Sequence, residues 1–184
     1  KPLDTSDMLL NLDSCTIFNR LCYIDIYNEE GRPMRSFAKM VRKLAVNMTV
    51  MVTFTDSSYL NAFYASYKLS RLDRFPNFIV VAVDASAYRE LDERHFPVAY
   101  YRSTVLSQER SERESSYHSQ EWREKMVNKI KIIRQAVLLG YNILLFDSDV
   151  LLFKDPLHPI VDLVDYDLVS QKDTSVCAGF MLAS

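Results

Sequence analysis

The chain has little of what marks a specialised architecture. Three glycines and six prolines in 184 residues exclude collagen-like and low-complexity chains. Three cysteines (Cys15, Cys22 and Cys177) are an odd number without CxxC or Cys/His spacing, which argues against a disulfide framework and a zinc site and leaves open one bridge, Cys15 to Cys22. Neither sign of charge dominates: 22 Lys and Arg against 24 Asp and Glu give a net charge of -2, so nothing draws the chain onto nucleic acid or an anionic membrane surface. Apolar runs such as Ile143 to Phe146 and Val150 to Phe153 fall far short of the roughly 20 residues that span a bilayer. No basic-then-apolar leader opens the chain, which starts at Lys1 and is expected to be a processed or trimmed segment.

What is present is ordinary for a folded domain: 48% hydrophobic and 12% aromatic residues, too apolar for disorder. Length allows one domain with a short appendage, expected as 1–35 followed by a domain over 36–184. The appendage carries a possible short strand at Cys22 to Ile26 and a turn signal at Glu30-Gly31-Arg32-Pro33. A sequon at Asn47-Met48-Thr49 carries little weight, because such triplets arise by chance.

Periodicity then assigns the elements. Phe37, Met40, Val41 and Leu44 have the spacing of an amphipathic helix over Ser36 to Ala45. Val50 to Thr55 is β-branched and apolar and stops at Asp56-Ser57-Ser58, a strand followed by the N-cap of a helix over Asn61 to Leu72. Phe78 to Val83 repeats the pattern, ending at Asp84, more a cap than a ligand contact, with a helical stretch through Leu91. Pro97 to Tyr101 is a third strand. Ser103 to Gln120 is almost entirely polar and is expected as a mobile loop. Glu121 to Leu139 is the clearest helix, with Trp122, Met126, Ile130, Ile133 and Val137 expected on its buried face and Gly140 as its cap. Asn142 to Phe146 is a strand, Asp155-Pro156 opens a helix over Leu157 to Val164, and strands follow at Asp167 to Val169 and Gly179 to Leu182. Strands apolar on both faces and alternating with helices indicate an α/β fold, a Rossmann-like, mainly parallel sheet covered on both sides.

Asp147-Ser148-Asp149 is the informative triplet. Open α/β sheets bind ligands beyond the carboxyl ends of their strands, and carboxylates at i and i+2 of an extended chain share a side. Carboxylates that close repel, and a divalent cation turns the repulsion into a binding site. The plain alternative has one Asp capping a turn while the other faces water. An EF-hand is excluded, because the sixth position of the loop is Leu152 rather than glycine.

The run Gly140 to Val150 (GYNILLFDSDV), followed by Leu151 to Leu157 (LLFKDPL), resembles the DxD region of the nucleotide-diphospho-sugar transferases of glycosyltransferase family 77. Phe37 to Asp84 is similar to the amino-terminal half of the same GT-A domain. The resemblance implies a GT-A-like fold, incomplete at the carboxyl end, and a Golgi-lumenal transferase whose membrane anchor lies outside this chain. The reaction it implies is retaining transfer of a sugar from a nucleoside diphosphate, usually UDP, to the hydroxyl of a glycan or glycoprotein acceptor. It implies Mn²⁺ or Mg²⁺ on Asp147 and Asp149, with Asp149 the direct ligand, and nucleotide contacts at Thr55, Asp56, Tyr59 and Ser148. Lys129 and Gly179 would meet the donor sugar or phosphates. Cys177 stands where the family commonly has Asn, in Asn-x-Gly-Phe.

Each assignment has a plainer rival. Asp56 or Ser57 serves equally as a helix cap with Tyr59 in the core. Lys129, at the edge of the apolar stripe, serves also as a lysine covering apolar surface with its stem. His95, His118 and His158 join no catalytic arrangement, and no catalytic residue is assigned. Two other functions compete: a nucleotide-sugar-binding domain without transfer, and a haloacid-dehalogenase-type phosphatase. The phosphatase motif normally opens its domain, whereas little chain follows Asp149. A sheet ending near Ser184 is expected to leave Phe180 and Met181 at an open edge.

Overall fold

A computed structural model describes residues 26–27, 33–101, 120–160, 163, 165–172 and 176–184. The bridge left open between Cys15 and Cys22 and the polar stretch after Ser103, save Gln120, lie outside them. So does most of the 1–35 appendage, whose described part is a two-stranded antiparallel ribbon of β1 (Ile26–Tyr27) and β2 (Pro33–Met34). Met34 is buried in the main core.

Six strands form the main sheet in the order β5-β4-β3-β6-β8-β7. They are β3 (Thr49–Thr55), β4 (Phe78–Ala82), β5 (Val98–Tyr100), β6 (Asn142–Asp147), β7 (Leu168–Lys172) and β8 (Val176–Ala183). The four strands β5, β4, β3 and β6 are parallel, while β8 runs antiparallel to both β6 and β7. The chain therefore builds outward from β3 through β4 to β5, then returns to the other side of β3 with β6. That reversal puts a crevice at the carboxyl ends of β3 and β6, where open α/β sheets take their ligands.

Helices cover both faces, as the apolar strands require. On one face α1 (Phe37–Leu44) and α4 (Gln120–Leu138) pack over Val50, Val52, Ile79, Val81, Ile143 and Leu145. On the other, α2 (Leu60–Leu69) and α3 (Ala85–Glu93) cover Met51, Val80, Ala82, Leu144 and Phe146. Ser36 caps α1 by accepting from Lys39 N, and Asp84 caps α3 by accepting from Ala87 N at 2.7 Å. Gly140, at φ +81, closes α4, with Tyr141 N donating to Ala136 O. No helix among the described residues is long and apolar enough to cross a membrane.

Four local expectations change. The helix expected to Leu72 stops at Leu69, because Ser66 Oγ donates to Val150 O at 2.5 Å and Ser70 Oγ accepts from Leu152 N at 2.8 Å. Arg71 then turns left-handed (φ 53) into a short 3-10 turn over Leu72–Arg74. Helix α5 is four residues, Leu157–Ile160, with Leu157 N donating to Asp155 Oδ1. Met181 is buried and Phe180 half-buried, not at an open edge, because β7 pairs along the outer side of β8.

The fourth change decides the site. The expected buried face of α4 is displaced: Ile130 is 57% exposed, whereas Lys125, Asn128, Lys129, Ile132 and Ala136 are buried. Met126, Ile133 and Val137 are half-buried. The side chain of Trp122 lies outside the described residues. Lys129, expected at the edge of the stripe, does face the sheet; the stripe is displaced because Lys125, which apolar periodicity assigns to water, turns inward as well, and each lysine meets a carboxylate.

Candidate functional site

Parallel pairing of β3 with β6 aligns Phe54 with Asp147. Side chains alternate along a strand, so Phe54 and Asp56 project to the same face as Leu145 and Asp147, the face that α4 covers. Lys125 and Lys129 are one helical turn apart on α4 and each meets one of these carboxylates. Lys125 Nζ lies 2.6 Å from Asp56 Oδ2, both side chains less than a tenth exposed. Lys129 Nζ pairs with Asp147 Oδ1 and also lies 5.0 Å from the centroid of the Phe54 ring, a cation-π contact.

The two pairs differ in how fully the carboxylate is engaged. Asp56 Oδ1 accepts from Ser58 N (3.0 Å), Ser58 Oγ (2.5 Å) and Tyr59 N (3.2 Å), capping the 3-10 turn Ser57–Tyr59 that leads into α2. With Lys125 on Oδ2, both oxygens of Asp56 are engaged. Asp147 has a third of its side chain exposed. Its Oδ1 is buried, makes the ion pair at angles that form no hydrogen bond, and accepts no hydrogen bond among the described residues.

The expected extended DxD is not extended: Asp147 ends β6, and Ser148 and Asp149 form a turn closed by Val150 N donating to Asp147 O at 3.1 Å. The hydroxyls of Ser66 and Ser70 hold the next residues, 150 to 152, against α2. The turn is thus fixed from behind, and Asp149 is left exposed at its front.

These residues enclose a cleft of about 220 Å³. Thr55, Asp56 and Tyr59 line it from β3 and the following turn; Asp147, Ser148 and Asp149 line it from β6; Lys125, Met126 and Lys129 line it from α4. Seven of the eight site residues expected from the sequence are therefore brought together. Tyr59 is exposed at the wall rather than in the core. Thr55 is buried, with its hydroxyl donating to Asp56 O. Gly179 is the exception: it lies in β8, one position beyond the Phe146 and Phe180 pair, and is not on the cleft lining. Phe54, Lys125 and Met126 complete the lining without having been expected. Lys125 had one available signal, its i,i+4 spacing from Lys129.

Asp84 stands behind the cleft. It is buried, accepts from Ser57 N at 2.8 Å as well as from Ala87 N, and burial pushes its carboxyl above the usual carboxylate range against the pull of those two N-H groups. It is a structural acceptor tying the β3 turn to α3.

Asp147 and Asp149 suit a hard divalent cation. Both present oxygen, they flank one turn, and Asp147 Oδ1 lacks a hydrogen-bond donor. Among the described residues no third His, Cys, Asp or Glu joins them, so a cation there takes its remaining ligands from elsewhere, such as phosphate oxygens and water. Lining charges are three carboxylates against two lysines. A divalent cation would turn that small negative excess into a positive one suited to a diphosphate.

A family model described as nucleotide-diphospho-sugar transferase matches residues 74–178, more than half of the chain. The matched span holds α4 with both lysines and the whole Asp147 to Asp149 turn, while Thr55, Asp56 and Tyr59 precede it. No curated protein matches the chain.

Proposed function

From the chain's membership of the nucleotide-diphospho-sugar transferase family, we propose that it moves a sugar, with retention, from a UDP-sugar to a hydroxyl of a glycan or glycoprotein acceptor. We place the reaction in the Golgi lumen and the fold in the GT-A class, on the resemblance of the Gly140 to Leu157 run to glycosyltransferase family 77. The observation that carries this reading is the meeting of the Asp147 to Asp149 turn, the Thr55 to Tyr59 wall and Lys129 around one cleft at the sheet's reversal point.

Mn²⁺ or Mg²⁺ held by Asp147 and Asp149 would supply positive charge to the departing diphosphate. The chain's own residues do the rest. Tyr59 offers an aromatic face and a phenol at the cleft rim, suited to stacking on uracil. Asp56, with both oxygens engaged, fixes the turn that carries Tyr59 and does not itself serve as a free acceptor. Ser148 contributes a hydroxyl between the two carboxylates. Lys129 brings an ammonium group beside Asp147.

Calorimetric titration with UDP tests the proposal. Affinity should require Mn²⁺, be lost in Asp149→Ala, whose carboxylate stands exposed to a cation, and fall less in Asp147→Ala. UDP binding that is unchanged by EDTA would refute it.

A further inference from the structure

Lys129 is 3% exposed, and its ammonium lies against Asp147 Oδ1, a buried carboxylate oxygen that accepts no hydrogen bond among the described residues. A buried ammonium is retained only if compensated, and Asp147 and the Phe54 ring compensate it. That oxygen is itself buried, while the Asp147 side chain as a whole is one-third exposed and lines the cleft. Asp147 thus meets Lys129 through a buried oxygen that no hydrogen bond holds, while the exposed part of its side chain lies on the cleft lining. The neighbouring pair makes the contrast: Asp56 holds Lys125 while accepting three further hydrogen bonds, an arrangement with nothing left to exchange.

We propose that Lys129 is the internal counter-ion of the cation site, and that a divalent cation entering between Asp147 and Asp149 displaces its ammonium from Asp147. This inference rests on the metal reading above. No bond is made or broken in the exchange: one cation leaves the carboxylate and another arrives. The exchange keeps the empty cleft near neutrality, so that Asp147 does not repel Asp149 before the cation comes. It also makes Lys129 oppose uptake of the bare cation. A diphosphate arriving with the cation brings the negative charge that the displaced ammonium needs, so cation and donor enter together more readily than either alone.

The test is Mn²⁺ binding without nucleotide, read by calorimetry or by the electron paramagnetic resonance of Mn²⁺. Lys129→Met should bind Mn²⁺ about tenfold or more tightly than the unaltered chain, the equivalent of one charge-assisted contact no longer broken. Lys131→Met, which removes the same charge from the same helix away from the cleft lining, should change the affinity less than threefold. In the unaltered chain, acylation of Lys129 followed by peptide mass spectrometry should rise several-fold on adding Mn²⁺ while Lys125 stays protected; this measurement does not depend on a variant folding. Equal or weaker Mn²⁺ binding by a folded Lys129→Met, or Lys129 acylation indifferent to Mn²⁺, would overturn the exchange. Asp149→Ala separates the two readings. If it loses Mn²⁺ while Lys129→Met gains nothing, the metal site stands and the exchange falls. If it binds Mn²⁺ like the unaltered chain, both fall.

Discussion

Replacing Lys125 by Met should cost far more than a surface charge change, and the structure gives the size. Both partners of the Lys125 and Asp56 pair are less than a tenth exposed, and removing one partner of a buried pair typically costs about 3–5 kcal/mol by leaving a charge uncompensated. Two features reduce this. Asp56 Oδ1 keeps its three donors, Ser58 N, Ser58 Oγ and Tyr59 N, so the loss falls mainly on Oδ2. Methionine also fills most of the volume of the lysine stem, so no large cavity opens. About 2–3 kcal/mol of destabilisation remains, a fall of roughly 5–10 °C in Tm for a domain of this size. Urea unfolding of Lys125→Met, Asp56→Asn and the double variant measures it, with a coupling energy of about 2 kcal/mol expected between the sites. A single-variant cost below about 0.5 kcal/mol, or additive single costs, would refute the claim that this pair clamps α4 to the end of β3.

Gly140→Ala should destabilise by about 1–2 kcal/mol through backbone strain alone, since φ is +81 and an added Cβ would meet nothing within 4 Å; an unchanged denaturation midpoint would contradict this. Ser70→Ala leaves Leu152 N buried without its acceptor and should cost about 1–2 kcal/mol, with faster hydrogen exchange over 150–152 as its specific signature; exchange no faster than in the unaltered chain would count against the anchoring role of Ser70. Asp84 gives a pH dependence. Its folded pKa is raised by burial, so the folded state binds more protons between the ordinary Asp value, about 3.9, and the raised one. The stability tied to that proton is present below this window and lost as pH rises through it. The stability deficit of Asp84→Asn relative to the unaltered chain should therefore shrink with rising pH, and a constant or growing deficit would show that Asp84 is not raised.

Much of the architecture is written in short stretches of chain. Val50 to Thr55, Phe78 to Val83 and Asn142 to Phe146 are apolar on both faces, and such runs separated by helices have few alternatives to a covered parallel sheet. Asp84 before α3 and Gly140 after α4 announce their roles because a cap acts on backbone groups within a few residues. The Asp147 to Asp149 triplet is legible for the same reason: it directly follows a buried strand.

What the sequence withheld is whatever depends on a partner from another element. The buried side of α4 reads only in part from apolar spacing: Lys129 stands at the edge of the stripe, but Lys125 turns inward for Asp56, about 70 positions before it, as Lys129 does for Asp147, about 20 after it. The early end of α2 depends on Ser66 and Ser70 reaching residues 150 and 152. The sheet's last two strands take their antiparallel direction from pairing with β6 and with each other. Propensity, capping and turn chemistry act over one or two turns of chain and are fixed by sequence. Compensation of a buried charge needs a partner brought close in space, so only the packed structure added Lys125 to the cleft and gave each lysine its carboxylate.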